Sequence, residues 1–411
     1  MKEIFTIIFA LFLCCCSTGQ GSVMPVPEPN AEPLFGWRSA GLMPNQDSLY
    51  KWGNGLINIT HSGNYIFVIN GKIADTRDRP ANSVFMSRQG SLVWEEMRMP
   101  EGVNPYKIYA DDTGLFVGTY GTGALWHYEP ASRKWTNMEI LKLSGKQWFN
   151  VYGISRLNGK LIVSLAGYND TTEAGRLVIA PILLQQPDGI WKNTAPLDTT
   201  TLDIPAHLRK APLQFHVARE WRGDLFAATA DNGIWRYSDV SGEWSKVPNP
   251  NLPYWFFLYD GNYSEADMPQ ALTVHKERFY MAARGGGIYV LNDDLASWAE
   301  IDSIRTTEGG SLYSNTPLYP YALASDGEHL FVSGDNSGIP AVYMGDRGDP
   351  KGWRHIDKAE WCSPKRFRCL GLSTYGLDVI GDTLYAVAFE GLYKFPLADL
   401  DSSIANEESY K

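Results

Sequence analysis

The chain is short of charge. Only 20% of its 411 residues are charged, whereas 13% are aromatic and 44% are hydrophobic. Disordered chains carry much charge and few aromatic residues, and coiled coils are built mainly from Ala, Glu, Lys, Leu and Arg, so neither class fits. Basic residues are the minority, with 36 Lys and Arg against 46 Asp and Glu. The net charge of −10 argues against a general nucleic-acid binder, because neutralising phosphates needs a basic surface.

Cysteine and long apolar runs are also scarce. Three of the 5 cysteines stand together as Cys14, Cys15 and Cys16. No apolar run approaches the roughly 20 residues that a membrane-spanning helix needs. Residues 4–13 are apolar apart from Thr6, which suits the hydrophobic region of a signal peptide. This pattern predicts export rather than a spanning segment, and an ordinary signal peptide, cleaved away from the cysteines, is one interpretation of it.

The leader also resembles a bacterial lipoprotein signal, in which a Leu and two small residues precede the lipidated Cys. Cys16 fits that pattern best, since Leu13 stands three residues before it, whereas Cys14 fits worst and Cys15 stays open. The resemblance implies an exported protein of the bacterial cell envelope, anchored in the outer membrane by acyl chains. The predicted division is a lipoprotein signal at 1–16, a flexible tether at 17–34, one domain at 35–400 and a polar tail at 401–411.

A unit of four short strands recurs along the predicted domain. An apolar strand comes first, then a run such as Leu115-Phe116-Val117-Gly118, then a Gly-containing loop with a further strand, and last a strand opened by Trp. The second strand recurs from Leu225, Leu330 and Leu384, and more loosely from Ile66, Leu161 and Phe279. The tryptophans are Trp94, Trp135, Trp191, Trp244, Trp298 and Trp353. Short strands rich in aromatic and β-branched residues, with turn residues between them, predict an all-β fold.

Seven such units fit into residues 35–400 at about 52 residues each, which predicts a seven-bladed β-propeller of four-stranded antiparallel blades. A β-sandwich would not repeat a Trp at nearly constant spacing. The seventh unit lacks its Trp, whereas Trp37 stands alone at the start of the domain. We therefore expect the N-terminal strand around Trp37 to complete the last blade, which removes an open sheet edge.

The units resemble the BNR-like repeats of sialidase-type propellers. The residues that carry the resemblance are Gly118 to Trp126 and the later Trp135, and the pattern covers most of residues 55–395. The family's Asp-box is Ser-x-Asp-x-Gly-x-Thr-Trp, and its nearest counterpart, residues 238–244, is degenerate. The resemblance therefore implies the fold more strongly than an activity.

Long aromatic loops enter the innermost strands. With the loops between second and third strands, they are expected to form a ligand face at the channel mouth. Aromatic faces stack on sugar rings and anchor protein interfaces, so the expected ligand is a glycan or an envelope protein. As alternatives, the aromatic residues cap the blades and the polar ones are solvated turns. The predicted ligand-binding residues are Trp148, Trp255, Tyr259, Tyr313, Trp361, Arg77 and Arg284.

The last two cysteines, Cys362 and Cys369, are predicted to form a disulfide, since an exported protein can oxidise them. Zinc is not predicted, because no Cys or His pair lies nearby at ligand spacing. No other metal and no cofactor is predicted.

Catalytic motifs are absent: there is no Gly-rich phosphate loop, no His-Glu-x-x-His and no Gly-x-Ser-x-Gly. Weak candidates remain. His216 is expected within an innermost strand, where it could act as the base of a lyase with Arg284 or Arg77 neutralising a uronate. Asp231 and Glu390 are candidate glycosidase carboxylates, but turns supply such acids anyway. No catalytic residue is assigned.

The sequence thus favours a membrane-anchored exported propeller that binds a glycan or protein without catalysis. The alternative is an exported carbohydrate-active enzyme, a polysaccharide lyase or glycoside hydrolase, working at the channel mouth. A scaffold within an envelope assembly is a third possibility, and the fold alone does not decide among them.

Overall fold

The structure is a computed structural model. The residues it describes are 37–41, 43–44, 54–72, 82–140, 147–169, 177–179, 181–194, 215–229, 233–248, 255–257, 263–265, 269–283, 287–302, 319–335, 340–343, 353–356, 374–388 and 391–403. Only the backbone is described for 54–55, 71–72, 147–148, 166–169, 177–179, 255–257, 263–265, 269–270, 287, 302, 319–320, 335 and 355.

The described strands form seven four-stranded antiparallel sheets, each running from an innermost strand at the channel to an outermost strand. Blade 1 holds β2 (Asn54–Ser62), β3 (Tyr65–Lys72), β4 (Val84–Arg88) and β5 (Glu95–Glu96). Blade 2 holds β6 (Pro105–Asp111), β7 (Gly114–Thr119), β8 (Leu125–Glu129) and β9 (Lys134–Asn137). Blade 3 holds β10 (Gln147–Leu157), β11 (Lys160–Asn169), β13 (Ile182–Gln185) and β14 (Trp191–Asn193), with β12 (Leu177–Ile179) also paired to β11.

The remaining blades follow the same order. Blade 4 holds β15 (Phe215–Trp221), β16 (Asp224–Thr229), β17 (Ile234–Ser238) and β18 (Glu243–Lys246). Blade 5 holds β21 (Pro269–His275), β22 (Arg278–Ala283), β23 (Gly287–Leu291) and β24 (Trp298–Asp302). Blade 6 holds β25 (Tyr319–Ser325), β26 (Leu330–Asp335), β27 (Ala341–Tyr343) and β28 (Trp353–His355). Blade 7 holds β29 (Thr374–Ile380), β30 (Thr383–Ala388), β31 (Gly391–Pro396) and β1 (Arg38–Ser39). The prediction of a seven-bladed propeller is confirmed.

The second strand of each blade is the easiest strand to recognise in the sequence, because both of its faces are covered and its residues are almost all apolar. Every residue of β7 is buried, and five of the six residues in each of β16, β22 and β30 are buried. A strand covered on both faces reads as a continuous apolar run rather than an alternating one.

The hydrophobic core is divided among the blade interfaces. The described residues form seven separate clusters of buried side chains, and each cluster joins a pair of neighbouring blades. The cluster holding Ile59, Phe85 and Val387 joins blade 1 to blade 7. Burial of apolar area between blades therefore holds the ring together all the way round.

The N-terminal strand closes the ring, as predicted. Arg38 pairs with Lys394 and Ser39 with Tyr393, so β1 is the outermost strand of blade 7. Trp37, which is 1% exposed, packs against Phe395 with ring centroids 5.3 Å apart. Its indole Nε1 donates a 3.3 Å hydrogen bond to the carbonyl oxygen of Ile356 in blade 6.

The same indole bond recurs around the ring. Trp94 donates to Ala40, Trp191 to Met138 and Trp298 to Pro248, at 2.8, 3.2 and 2.7 Å. Each acceptor lies just after the outermost strand of the preceding blade. At these four positions the Trp therefore connects neighbouring blades by a hydrogen bond as well as by packing.

A hairpin of β19 (Trp255–Phe257) and β20 (Tyr263–Glu265) lies between blades 4 and 5 in sequence and pairs with neither. After β31 a 3-10 turn at Leu397–Asp399 continues helically to residue 403, and Leu400 joins the core. Among the described residues, no helix is long and apolar enough to cross a membrane. The leader, the tether and Cys16 lie outside the described residues.

Candidate functional site at the channel mouth

Each innermost strand has one β-bulge at an equivalent place in its ladder with the second strand. The ladder shifts between Pro105 and Lys107 in blade 2, and corresponding shifts occur in the other six blades. The residues at the bulges are Ile57, Tyr106, Tyr152, His216, Gln270, Tyr321 and Tyr375. Four of the seven bulge residues are tyrosine.

A bulge re-aims a side chain away from the regular face of a strand. The bulged tyrosines of neighbouring blades meet one another: Tyr106 and Tyr152 have ring centroids 6.1 Å apart, and Tyr321 and Tyr375 have centroids 5.4 Å apart. All four are partly accessible. Contacts between innermost strands of adjacent blades place these side chains in the channel wall.

The densest group lies on blades 2 and 3. Tyr106 contacts Tyr120 at 5.7 Å between centroids as well as Tyr152, and Tyr120 is 41% exposed. We call Tyr106, Tyr120 and Tyr152 the tyrosine cluster. It presents aromatic faces and hydroxyl groups together, where the innermost strands begin.

Burial, with Tyr152 and Tyr120 close by, raises the pKa of the Tyr106 phenol above its usual value, and a hydrogen bond joins Tyr106 to Tyr152. A general base works best with a pKa near the operating pH. Tyr106 therefore stays a neutral hydrogen-bonding group at physiological pH, which suits binding and not proton abstraction.

The loop carrying Tyr120 is fixed to blade 3. The backbone nitrogen of Gly121 donates to Asn150 Oδ1 at 2.8 Å, and that of Gly123 donates to the Phe149 oxygen at 2.9 Å. Thr119 and Thr122 share a hydroxyl hydrogen bond of 2.7 Å. These bonds hold Tyr120 in place without a ligand, which reduces the ordering cost of binding.

Close packing beneath the cluster depends on two glycines. A Cβ on Gly118 would overlap the side chain of Val151, and one on Gly153 would overlap Phe215. Gly118 therefore permits the close contact between blades 2 and 3, and Gly153, which directly follows the bulged Tyr152, permits the close contact between blades 3 and 4.

Two asparagines link blade 1 to the tyrosine cluster, the buried Asn82 and the partly accessible Asn104. Asn82 donates from Nδ2 to the Pro105 oxygen at 2.9 Å, and its backbone nitrogen donates to Asn104 Oδ1 at 3.2 Å. The backbone nitrogen of Tyr120 donates to the Asn104 oxygen at 2.9 Å. Asn104 therefore connects blade 1 to Tyr120.

The structure describes only part of the predicted ligand face. Strand pairing places the start of each innermost strand beside the end of its second strand, so both predicted sets of loops leave each blade from the same edge. Tyr259, Tyr313, Trp361, Arg77, Arg284, Asp231, Glu390, Cys362 and Cys369 lie outside the described residues. Trp255 begins β19, and its side chain is not described.

The sequence predicts Trp148 in a loop spanning residues 139–150, but β10 begins at Gln147, and Trp148 pairs there with Tyr168. Its neighbour Phe149 is 3% exposed and belongs to the core between blades 2 and 3. That part of the aromatic loop is therefore core, as the alternative interpretation of capping residues expected.

His216 lies within an innermost strand, as expected, and occupies the bulge of blade 4. The sequence thus pointed to His216, which is one of the seven bulge residues, and it did not point to the four tyrosines at the other bulges. The usable signal is a tyrosine two residues before the buried aliphatic residue of an innermost strand, as in Tyr106 to Ile108 and Tyr152 to Ile154. Among the described residues, no group of three His, Cys, Asp or Glu could hold a metal ion.

No family model and no curated protein matches this chain in sequence. Solved structures match it in fold. The structure of U3-55K is 10% identical, with a TM-score of 0.52, over 89% of this chain and 99% of that one. The WD40 repeats of RRP9 are 10% identical, with a TM-score of 0.52, over 90% and 99%.

At 10% identity this similarity shows the fold alone. The fold defines the class of the protein, a seven-bladed β-propeller, and this class is consistent with a ligand-binding scaffold.

Proposed function

We propose that this protein is an exported, lipid-anchored propeller that binds a saccharide at its channel mouth and does not transform it. The observation that carries the proposal is the tyrosine cluster. Three tyrosines from three separate segments meet there, one of them 41% exposed and held by hydrogen bonds to the next blade.

A saccharide suits this cluster better than a flat protein surface. Sugar rings offer apolar faces for stacking and hydroxyls for hydrogen bonds, and tyrosine supplies a partner for each. The ligand would enter a concave channel mouth, the usual shape of a small-ligand site. The resemblance of the repeats to sialidase-type propellers supports the same choice.

A glycan array tests this function directly. The full chain should bind a subset of saccharides, and Tyr120→Ala should weaken that binding about tenfold, or about 1.4 kcal/mol. The matched control is Tyr65→Ala, at the far end of blade 1, which should bind like the wild type. Equal binding by all three proteins would contradict the site, and binding of an envelope protein but no saccharide would contradict the ligand class.

A carbohydrate-active enzyme is the second candidate, because His216 shares the bulge position of the tyrosines in the channel wall. Incubating the bound saccharide with the full chain decides between the two. New reducing ends or an unsaturated uronate product, lost in His216→Gln, would establish catalysis. An unchanged saccharide supports binding alone.

The anchor has its own test. Cys16→Ser should remove labelling by a palmitate analogue in a bacterial host and move the protein from the membrane fraction to the soluble exported fraction. Cys14→Ser should leave labelling intact. Labelling that survives Cys16→Ser, or retention of the unlabelled protein in the membrane fraction, would contradict the anchor at this residue.

A further inference from the structure

A second pair of tyrosines lies in the channel wall, apart from the tyrosine cluster. Tyr321 of β25 and Tyr375 of β29 occupy the bulges of blades 6 and 7, and their ring centroids lie 5.4 Å apart at an interplanar angle of 33°. Tyr106 and Tyr152 have nearly the same relation, at 6.1 Å and 40°. The channel wall therefore carries the same arrangement of two tilted tyrosines twice.

The two pairs lie at the same depth along the channel. Each of the four tyrosines stands at the shift in its ladder and comes two residues before a buried aliphatic residue of the same strand. Those aliphatic residues are Ile108, Ile154, Leu323 and Leu377. Since the ladder positions are equivalent, a ligand that enters far enough to reach one pair is deep enough to reach the other.

The second pair is held in place by a buried hydrogen bond between blades 6 and 7. Ser333 Oγ donates to the carbonyl oxygen of Thr374 at 3.2 Å, and both residues are buried. Thr374 directly precedes Tyr375, and Ser333 pairs with the residue that directly follows Tyr321. The bond therefore fixes the spacing of the two tyrosines before any ligand binds, which reduces the ordering cost of binding.

The two pairs lie on different sides of the channel. The innermost strands contact one another in blade order, and β29 contacts β2 to close the circle. Blades 4 and 5 separate the pairs on one side, and blade 1 separates them on the other. Tyrosines on adjacent blades are already 5.4 and 6.1 Å apart between ring centroids, so one sugar ring on the first pair lies away from the second. A chain of several sugars reaches both.

The residues between the pairs divide the channel wall into an aromatic and apolar arc and a polar part. On the side of blade 1 the bulge residue is the half-buried Ile57, so five successive blades, 6, 7, 1, 2 and 3, carry only tyrosine or isoleucine there. Blades 4 and 5 carry His216 and Gln270 at this position. A chain of sugars likewise offers apolar ring faces and polar hydroxyl edges.

We propose that Tyr321 and Tyr375 form a second sugar subsite, and that the ligand is an oligosaccharide with one ring on this pair and another on the tyrosine cluster. This inference rests on the proposed function and names its ligand class. None of the seven bulge residues is Lys, Arg, Asp or Glu, so a chain of neutral sugars suits the wall. Once one ring is bound, the second contact forms within the same complex and adds to the affinity.

Calorimetry with oligomers of increasing length tests the inference on the full wild-type chain. The probes are linear oligomers of glucose, of galactose and of mannose, from the single sugar to eight units. In at least one series we expect the affinity to rise about tenfold in one step, when the oligomer becomes long enough to reach the second pair, and then to stay level. One oligomer should bind per protein chain.

Substitutions in the second pair locate the step. Tyr321→Ala and Tyr375→Ala should each lower the affinity for the longest oligomer about tenfold and leave that for the shortest bound oligomer unchanged, which also shows that the variants are folded. Tyr321→Phe keeps the ring and should keep the step. Tyr120→Ala, in the tyrosine cluster, should weaken every length. The matched control is Tyr65→Ala, at the far end of blade 1, which should bind every length like the wild type.

Several results would overturn the inference while leaving saccharide binding intact. They are an affinity that does not change with length, two oligomers bound per chain, and binding on the glycan array without affinity for any longer member of the three series. A step that survives both alanine variants, or an equal loss at short and long lengths in both, would also overturn it. Absence of any saccharide binding on the array would overturn the proposed function as well.

Discussion

At the residue scale, Lys107 shows how the burial of a charged group opposes stability. Its ammonium is half-buried, has a charged neighbour of the same sign, and lies where the second strand offers only Gly118. A methionine of similar length would keep the packing of the stem and remove the cost of the charge.

We therefore expect Lys107→Met to stabilise the fold by about 1–3 kcal/mol at pH 7. Because the pKa of Lys107 is lower in the folded state, the destabilisation of the wild type is full below about pH 8 and disappears towards pH 10.5. Urea unfolding of both proteins at pH 7 and pH 10 measures the effect, with Lys246→Met as the control. A destabilised Lys107→Met would show that the ammonium has a structural partner.

The sequence led to His216 and missed the tyrosines for a physical reason. A bulge inserts one residue into the strand, so the alternation of buried and exposed positions shifts just where the channel residues lie. The two-residue alternation of buried and exposed positions therefore does not indicate which side chain faces the channel. The seven innermost strands can instead be aligned on the buried aliphatic residue that each of them contains. In that alignment Tyr106, Tyr152 and His216 fall at the same position.

At the element scale, strands covered on both faces were predictable, and short strands were not. The runs that begin at Leu115, Leu225, Leu330 and Leu384 all lie in second strands. The hairpin of β19 and β20 has three residues in each strand, too few to show a period. The start of β10 at Gln147 also fell inside a predicted loop.

The seam between the first and last blades carries a pH-dependent contact. His61 Nδ1 lies 2.8 Å from Asp378 Oδ2, which joins β2 to β29. The hydrogen bond to Asp378 raises the pKa of His61. Protonated His61 is therefore favoured in the folded state, and its contribution is full below about pH 6.5 and lost as the pH rises through the raised value.

We expect the wild type to gain less than about 1 kcal/mol at pH 5.5 relative to pH 8.5 from this pair, because both side chains are partly exposed. His61→Gln should abolish that gain, and His127→Gln, on β8 and away from the seam, should keep it. Urea midpoints at the two pH values measure the difference. An identical pH dependence in the wild type and His61→Gln would contradict the contact.

At the scale of the whole molecule, a strand of two residues closes a ring of about 370 residues. Its stability comes from Trp37, which is almost fully buried between blades 6 and 7. The unpaired Trp at the start of the domain, together with the missing Trp of the seventh unit, made this closure predictable from the sequence. The position of the tyrosine cluster was not predictable in the same way, since the seven innermost strands offer seven equivalent places for it.

Trp37→Ala should cost about 3–5 kcal/mol, and deletion of residues 30–42 should prevent cooperative folding. Trp244→Ala is the matched control and should cost less, because its indole is half-buried and its Nε1 has no hydrogen-bond partner among the described residues. Thermal unfolding followed by Trp fluorescence measures both. A deletion variant that melts like the full chain would show that the ring closes without β1.

The seven bulge residues lie at the channel wall, whereas the regular strand pairing on either side of them forms the blades. Ile57, Tyr106, His216 and Gln270 occupy one structural position with side chains of very different size and chemistry, while the ladder on either side is the same. The position therefore tolerates exchange. A library varying only these seven residues would change the chemistry of the channel wall without redesigning any strand.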